Sequence, residues 1–459
     1  MNRPLIPERP RETHMSTSPS TTSSPTSAAP SPSKQTPEQK RVLAGTLVGT
    51  TIEWYDFFIY AQAAAFVFAP LFFAPLGDSP LAQVISWATI GISFLFRPLG
   101  AVVAGHLGDR YGRKMVLVVT LFGMGVATAL IGLLPTYETI GVAAPLLLIL
   151  LRIMQGLSAG GEWGGAALMA VEHAPRDKRG MFGSYPQIGV PLGLILASSF
   201  MFLLTNGMSD EAFQSWGWRI PFISSVVLIA VGYLIRRAVD ESPVFLEMQK
   251  RRKEASAPLG SLFKNHWRRV LLAALIFAGN NAAGYMIIAF FSSYSSNELG
   301  MAKSQTLIAT LIGGVSWLIL TIWSGRISDK IGRRETFIIG YLLIAVWAVP
   351  MWFFVDKGEL LWLVLVIVVL TIGLAPSYAP QSALYAEMFP AEVRYSGTSI
   401  GYALGSILGG AFAPMIAQLL LDSTGKSWTI GLYLAAVAII SAIAVWLVPK
   451  SVEKSDLHV

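Results

Sequence analysis

The sequence contains no cysteine, which removes disulfides, thiolate metal sites and cysteine nucleophiles at once. Histidine is nearly as scarce, with five residues and none in the H-E-x-x-H spacing of a zinc hydrolase. Charge is thin as well. Only 13% of the 459 residues are Asp, Glu, Lys or Arg, about half the share of an ordinary soluble domain. That is too little to cover a water-facing surface. No nucleophile–base pair or metal-ligand spacing argues for an enzyme, so neither a cofactor nor a metal is expected.

Apolar length takes the place of charge. Hydrophobic residues make up 53% of the chain and the mean hydropathy is +0.57. Runs such as Leu342–Phe354 and Leu360–Ala375 are apolar on every face, which no amphipathic surface helix tolerates. A membrane span needs about 20 such residues at a rise of about 1.5 Å each. Blocks of that kind lie at 43–74, 82–107, 115–134, 142–171, 181–206, 217–236, 268–294, 304–327, 335–355, 360–386, 396–421 and 428–448. They run continuously rather than alternating, which excludes a transmembrane barrel. The expectation is an all-α membrane protein with twelve transmembrane helices.

The net charge of +7 is distributed by loop. Arg110, Arg113 and Lys114; Arg176, Lys178 and Arg179; Arg236, Arg237 and Lys250 to Lys253; and Arg326, Lys330, Arg333 and Arg334 occupy alternate loops. The intervening loops carry Asp78, Glu138, Asp210, Glu211, Glu298, Asp356, Glu359 and Asp422. This positive-inside pattern places both termini in the cytoplasm of a multi-pass inner-membrane protein. Anionic lipid accounts for the basic balance, and no nucleic-acid partner is expected. Residues 1–40 differ in kind. Ser16–Pro37 is almost wholly Ser, Thr, Pro and Ala, a composition that predicts a disordered cytoplasmic tail.

The chain repeats itself. Gly105-His-Leu-Gly-Asp109-Arg110-Tyr-Gly112-Arg113-Lys114 recurs as Gly325-Arg-Ile-Ser-Asp329-Lys-Ile-Gly332-Arg333-Arg334, offset by 220 residues (109 to 329). Glu172 with Arg179 recurs as Glu387 with Arg394, offset by 215 (172 to 387). The expected organisation is a six-helix bundle at 41–237, a cytoplasmic linker at 238–266, a second bundle at 267–449 and a tail at 450–459. In each motif the glycines allow a sharp turn. Asp109 or Asp329 can accept hydrogen bonds from a helix N-terminus or pair with a nearby arginine. A clasp of that kind can form in one conformation and break in another, against the plainer reading of a basic loop that only sets orientation.

The doubled G-x-x-x-D-R/K-x-G-R-K/R motif resembles the signature of the major facilitator superfamily. Within it, Thr50-Thr-Ile-Glu53-Trp54-Tyr55-Asp56-Phe57, Phe96-Arg97-Pro98-Leu99-Gly100, Gly160-Gly161-Glu162-Trp163-Gly164-Gly165 and Trp216-Gly217-Trp218-Arg219 are similar to the metabolite:H⁺ symporter family. That family includes shikimate, α-ketoglutarate, citrate and proline/betaine carriers. Asp210 to Ser215 and Ala166-Ala-Leu look most like the shikimate branch. The resemblance implies the major facilitator fold, two pseudo-symmetric six-helix bundles. It also implies for Arg152 the role of the superfamily's fourth-helix arginine, in proton coupling or substrate charge.

Ionisable groups at bilayer depth cost at least about 2.5 kcal/mol each, so their presence needs a reason. Glu53 and Asp56 stand i, i+3, read as one helical face with Tyr60 a turn further on. Arg97 falls at about the same depth on the antiparallel second span. The candidate proton-coupling residues are Asp56, Glu53, Glu162 and Arg152, with Asp56 favoured because the resembling carriers tolerate Asp at the position of Glu53. The candidate substrate contacts are Arg97, Tyr60, Gln155, Gln187, Asn280, Asn281, Tyr285, Tyr378, Gln381 and Tyr385, the last three read as one stripe on a tenth span softened by Pro376 and Pro380. A permanent ion pair and helix–helix packing are the plainer alternatives. The function expected is proton-coupled import of a small polar metabolite by a monomer in the lipid bilayer, with an organic acid such as shikimate or a di- or tricarboxylate favoured. Uptake of proline or betaine, efflux by antiport and a non-transporting sensor are the rivals.

Overall fold

The computed structural model describes residues 35–73, 80–111, 113–237, 258–390 and 393–454. Among them there is helix and turn but no strand. Twelve spans follow in order: α1 Pro37–Phe66, α2 Pro80–Tyr111, α3 Arg113–Leu133, α4 Ala143–Ala159 with Glu162–Glu172, α5 Arg179–Gly207 and α6 Arg219–Arg237. Then come α7 Trp267–Tyr285 with Phe291–Asn297, α8 Lys303–Ile331, α9 Arg333–Ala348 with Pro350–Val355, α10 Leu360–Leu374 with Gln381–Met388, α11 Arg394–Ser406 with Ala413–Thr424, and α12 Trp428–Trp446.

Eight of these are long and apolar enough to cross a membrane on length and composition alone. The ninth, Asp210–Gly217 with Arg219–Leu234, is bent by 46°. The other three have visible reasons for falling short. α1 carries Glu53 and Asp56, α9 breaks at Val349 before Pro350, and α10 breaks over 375–380, where Pro376 and Pro380 cannot donate to a helical ladder. Tyr378 therefore lies in the break, while Gln381 and Tyr385 lie on the helix that follows. The single helical stripe expected of the three does not exist.

The spans pack in a repeated scheme. In the first half α1 lies on α5 and α6, α2 on α4, and α3 on α6; in the second, α7 lies on α11 and α12, α8 on α10, and α9 on α12. The two halves meet through α5 against α8 and α2 against α11. Leu146, Leu203, Val227, Leu234, Val346, Phe353 and Leu361 stand exposed on the outer faces. An apolar belt of that extent suits lipid and would aggregate in water. The fold is that of a multi-pass membrane protein.

Three segments flanking the bundles carry structure of their own. α1 starts at Pro37, with proline at the first helical position and Glu38 in the first turn, so residues 37–40 are helix rather than tail. Within 238–266, Pro258–Asn265 is helical. Beyond α12, Glu453 Oε1 accepts from the Arg334 backbone N–H at 2.7 Å. The disorder expected of 1–34 and the charged run 238–257 lie outside the described residues.

Close backbone contact sets the position of Arg97. A Cβ added at Gly156 would sit 2.1 Å from the Ser93 carbonyl oxygen, and one at Gly160 would sit 2.1 Å from that of Arg97. Only glycine lets α4 approach α2 so nearly.

Candidate functional site

Arg97 and Glu53 meet as an ion pair at 3.8 Å, each with a side chain only 1% exposed. That is about 1 Å longer than a charge-assisted hydrogen bond. None of the three guanidinium nitrogens of Arg97 makes a hydrogen bond among the described residues. Aromatic faces surround it instead, with the Phe57 ring at 4.3 Å, Phe94 at 4.4 Å and Trp54 at 5.5 Å. Cation–π attraction offsets part of the desolvation, but it leaves all five N–H donors unspent.

Asp56 is aimed elsewhere. Its Oδ1 accepts from Ser225 at 2.6 Å on α6, and its Oδ2 accepts from Thr128 at 3.0 Å on α3. Glu53 and Asp56 thus leave α1 into different seams, one toward α2 and the other toward α3 and α6. An i, i+3 offset turns a side chain by about 60°, enough for this separation at a three-helix junction. The shared face read from the sequence is corrected accordingly.

Arg152 is completely buried. It donates to Gln155 Oε1 at 2.6 Å and to the carbonyls of Thr89 and Ile90 at 3.3 Å each, and it stacks on Tyr60 at 3.7 Å. The Tyr60 hydroxyl donates to Thr89 at 2.7 Å. The two arginines share the Phe57 ring, which lies 5.3 Å from Arg152. Glu162 is buried at the start of the second segment of α4, within electrostatic reach of Asp56.

The second half contributes neutral groups. Tyr285, Tyr378 and Tyr402 lie within electrostatic reach of both Arg97 and Glu53. Tyr285 also meets Phe94 edge-on at 5.6 Å, so α7 closes on α2 beside the arginine. The Tyr285 hydroxyl and both polar atoms of the Gln381 amide are buried without a hydrogen bond among the described residues. Other sequence candidates are committed to the scaffold. Asn280 donates to the Leu374 carbonyl and to Ser377, both at 2.9 Å, and so ties down the α10 break. Asn281 donates to the Ser406 carbonyl at 3.2 Å, and the Tyr385 hydroxyl donates to that of Ala273. Gln187 accepts from the Trp163 indole at 3.1 Å, and Trp163 stacks flat on Tyr402 at 3.8 Å, joining α4 to α11.

Where α8 turns into α9, Asp329 accepts from the backbone N–H groups of Gly180 at 2.7 Å and Met181 at 2.8 Å, at the N-terminus of α5. Arg333 lies 3.3 Å from Asp329 and 3.6 Å from Glu387, and Arg179 lies 3.7 Å from Glu387. α5 of one half is thereby held to α8, α9 and α10 of the other. Gly332 turns between α8 and α9 at φ +106°, where a side chain would be strained, and Gly325 faces Ser184 across the seam. Arg394 donates to the Phe389 carbonyl at 3.2 Å, and Glu172 is buried at the end of α4. In the first copy of the motif, Gly112 and the side chains of Asp109, Arg110 and Arg113, with Gly105, lie outside the described residues.

Sequence reasoning missed Thr128, Ser225, Thr89, Phe57, Phe94 and the Trp163–Tyr402 stack. Threonine, serine and phenylalanine are unremarkable in a membrane helix, so only the three-helix geometry distinguishes these ones.

Residues 46–407 match the family description of the Major Facilitator Superfamily. The chain belongs to the major facilitator superfamily. It is 41% identical to the inner membrane metabolite transport protein YhjE of Escherichia coli K12, over 91% of this chain and 96% of that one. It is 37% identical to the shikimate transporter of the same organism, over 90% and 95%. Its fold matches the proton:xylose symporter XylE with a TM-score of 0.75 at 19% identity, covering 92% of this chain and 98% of the other.

Proposed function

We propose that this superfamily member imports a small hydroxylated organic acid together with protons, by alternating access of its two halves. The observation that carries the reading is Arg97, a sealed cation that makes no hydrogen bond among the described residues and whose ion pair with Glu53 stands at 3.8 Å. A buried arginine cannot discharge, so a site that leaves its donors open is poised for an anion. Tyr285, Gln381 and Tyr378 offer neutral groups from the facing half, suited to hydroxyls. The relative named as a shikimate transporter supports the same substrate class, and the one named as a metabolite transport protein supports transport.

Glu53 and Asp56 carry the proton coupling in this reading. Glu53 balances Arg97 when the site is empty, and an arriving substrate carboxylate competes with it for the guanidinium. At 1% exposure neither carboxylate loads from solvent in this conformation. Loading therefore requires the halves to part, and the cytoplasmic contacts of Asp329 and Glu387 are those that break for inward release. Both termini face the cytoplasm on this account.

The test is uptake of labelled shikimate by proteoliposomes holding the purified protein, with and without an imposed inward proton gradient. Accumulation above equilibrium that collapses with a protonophore is the expected result. Shikimate and α-ketoglutarate both failing to accumulate while proline or betaine does would overturn the organic-acid assignment. Accumulation that ignores the protonophore would overturn the coupling.

A further inference from the structure

The path from Arg152 to Asp56 consists entirely of neutral groups. Arg152 Nη1 donates to Gln155 Oε1 at 2.6 Å, Gln155 Nε2 donates to Thr128 Oγ1 at 2.7 Å, and Thr128 Oγ1 lies 3.0 Å from Asp56 Oδ2. A guanidinium only donates, so Gln155 must turn its carbonyl to Arg152 and its amide N–H to Thr128. Thr128 then has one proton and two acceptors at equal range, since the Met124 carbonyl is also at 3.0 Å.

Those two acceptors suit two protonation states. With Asp56 ionised, the Thr128 hydroxyl donates to it. With Asp56 protonated, the acid donates to Thr128 Oγ1 and the threonine proton turns to Met124. Asp56 Oδ1 keeps its Ser225 bond at 2.6 Å in both. The other groups facing this path are known. Glu162 on α4 faces Asp56, while Tyr60, Tyr285 and Arg97 face Arg152; α3 and α6 present the Thr128 and Ser225 hydroxyls to Asp56. Phe57 lies against both guanidinium groups, so an anion held at Arg97 is also within the field of Arg152.

We propose that Gln155 and Thr128 form a neutral bridge by which Arg152, drawn toward a bound anion, promotes proton binding at Asp56. When Arg152 turns to the anion, Gln155 loses the partner that fixes its amide. Thr128 Oγ1 then loses the N–H that polarises it, so it becomes a weaker donor to ionised Asp56 and a better acceptor from the protonated acid. Anion and proton assist each other, and by linkage the assistance is equal in both directions. Gln155 and Thr128 are positioning residues here, because both atoms of the Gln155 amide are already spent on Arg152 and Thr128. The proposal rests on the proton-coupled reading above.

Thr128→Val removes the hydroxyl at nearly constant volume, and Thr128→Ser restores it. In proteoliposomes with labelled shikimate, Thr128→Val is expected to keep exchange across equal concentrations while gradient-driven accumulation falls about tenfold, a typical coupling magnitude. The pH profile of uptake should shift by about one unit, and Thr128→Ser should return both readouts. Gln155→Leu should shift the pH profile in the same direction. An unchanged pH profile in both Thr128→Val and Gln155→Leu overturns the bridge, and so does parallel loss of exchange and accumulation in Thr128→Val with normal thermal stability. The unsubstituted protein run with protonophore separates the two levels: if it is proton-driven and the variants match it, the bridge alone falls. If it is not proton-driven, the coupling reading falls first.

Discussion

The two halves share one packing scheme but divide their chemistry. At mid-depth the first half keeps Glu53, Asp56, Arg97, Arg152 and Glu162 buried on helices of which only α4 is interrupted. The second half offers asparagine, glutamine and tyrosine, and it breaks or bulges its helices instead, at Met286–Phe290 on α7, Val349 on α9, 375–380 on α10 and Ile407–Ala411 on α11. Charge needs a rigid surround to hold its partners, whereas a moving wall needs helices whose hydrogen bonding is already interrupted. The comparison teaches that one architecture can serve as electrostatic seat in one half and adaptable wall in the other.

The strongest challenge to that division is Arg97→Ala. Truncating one partner of a buried charge pair at a binding site costs about 2–5 kcal/mol, so labelled uptake per folded molecule should fall by roughly one to four orders of magnitude, about a decade per 1.4 kcal/mol. Tyr378→Phe in the second half should cost no more than about tenfold, the worth of one hydrogen bond. Equal losses in the two variants would erase the contrast between the halves.

Asp56→Asn should abolish accumulation against a gradient while downhill entry persists at a reduced rate, as measured by protonophore-sensitive uptake. If Asp56→Asn still concentrates solute, the seat of coupling is not in this seam.

Where the halves should behave alike is at their close helix contacts. A Cβ at Gly409 would stand 1.9 Å from the Ala278 carbonyl on α7, and one at Gly156 would stand 2.1 Å from that of Ser93 on α2. Gly409→Val and Gly156→Val should each destabilise by about 1–3 kcal/mol through overpacking, read as a lowered midpoint in a thermal melt followed by size-exclusion chromatography. A melt unmoved in one half alone would show that the packing scheme is less symmetric than the helix pairs suggest.

The smallest effect is expected at the clasp. Asp329→Asn weakens the hold on Gly180, Met181 and Arg333, so the helix ends it joins should part more often. The cysteine-free sequence lets Ser382→Cys serve as a single buried thiol. Its alkylation should quicken about threefold in Asp329→Asn, the scale of a partly exposed ionic contact.

Most of the architecture could be read along the chain. Twelve apolar blocks and a motif doubled at a fixed offset are one-dimensional signals, and bilayer thickness converts them into spans. The ends were less legible: Glu453 is held by Arg334, distant in the chain, and the local helix start at Pro37 and Glu38 follows directly on a Ser/Thr/Pro run. Within the site, Arg97, Glu53, Asp56 and Arg152 stood out because an ionisable group in an apolar run is rare. Thr128 and Ser225 did not, since hydroxyls in membrane helices are common and satisfy themselves on their own backbone.

Residue order along the chain suffices to read a membrane-spanning protein in two related halves and the few charges inside its apolar runs, because the cost of burying polar groups in lipid acts residue by residue. It takes the packed helices to pair Glu53 with Arg97 and to turn Asp56 to Thr128 and Ser225. Side chains 60° apart on one helix meet whichever neighbours the packing of other helices supplies, and that packing is written nowhere in their spacing.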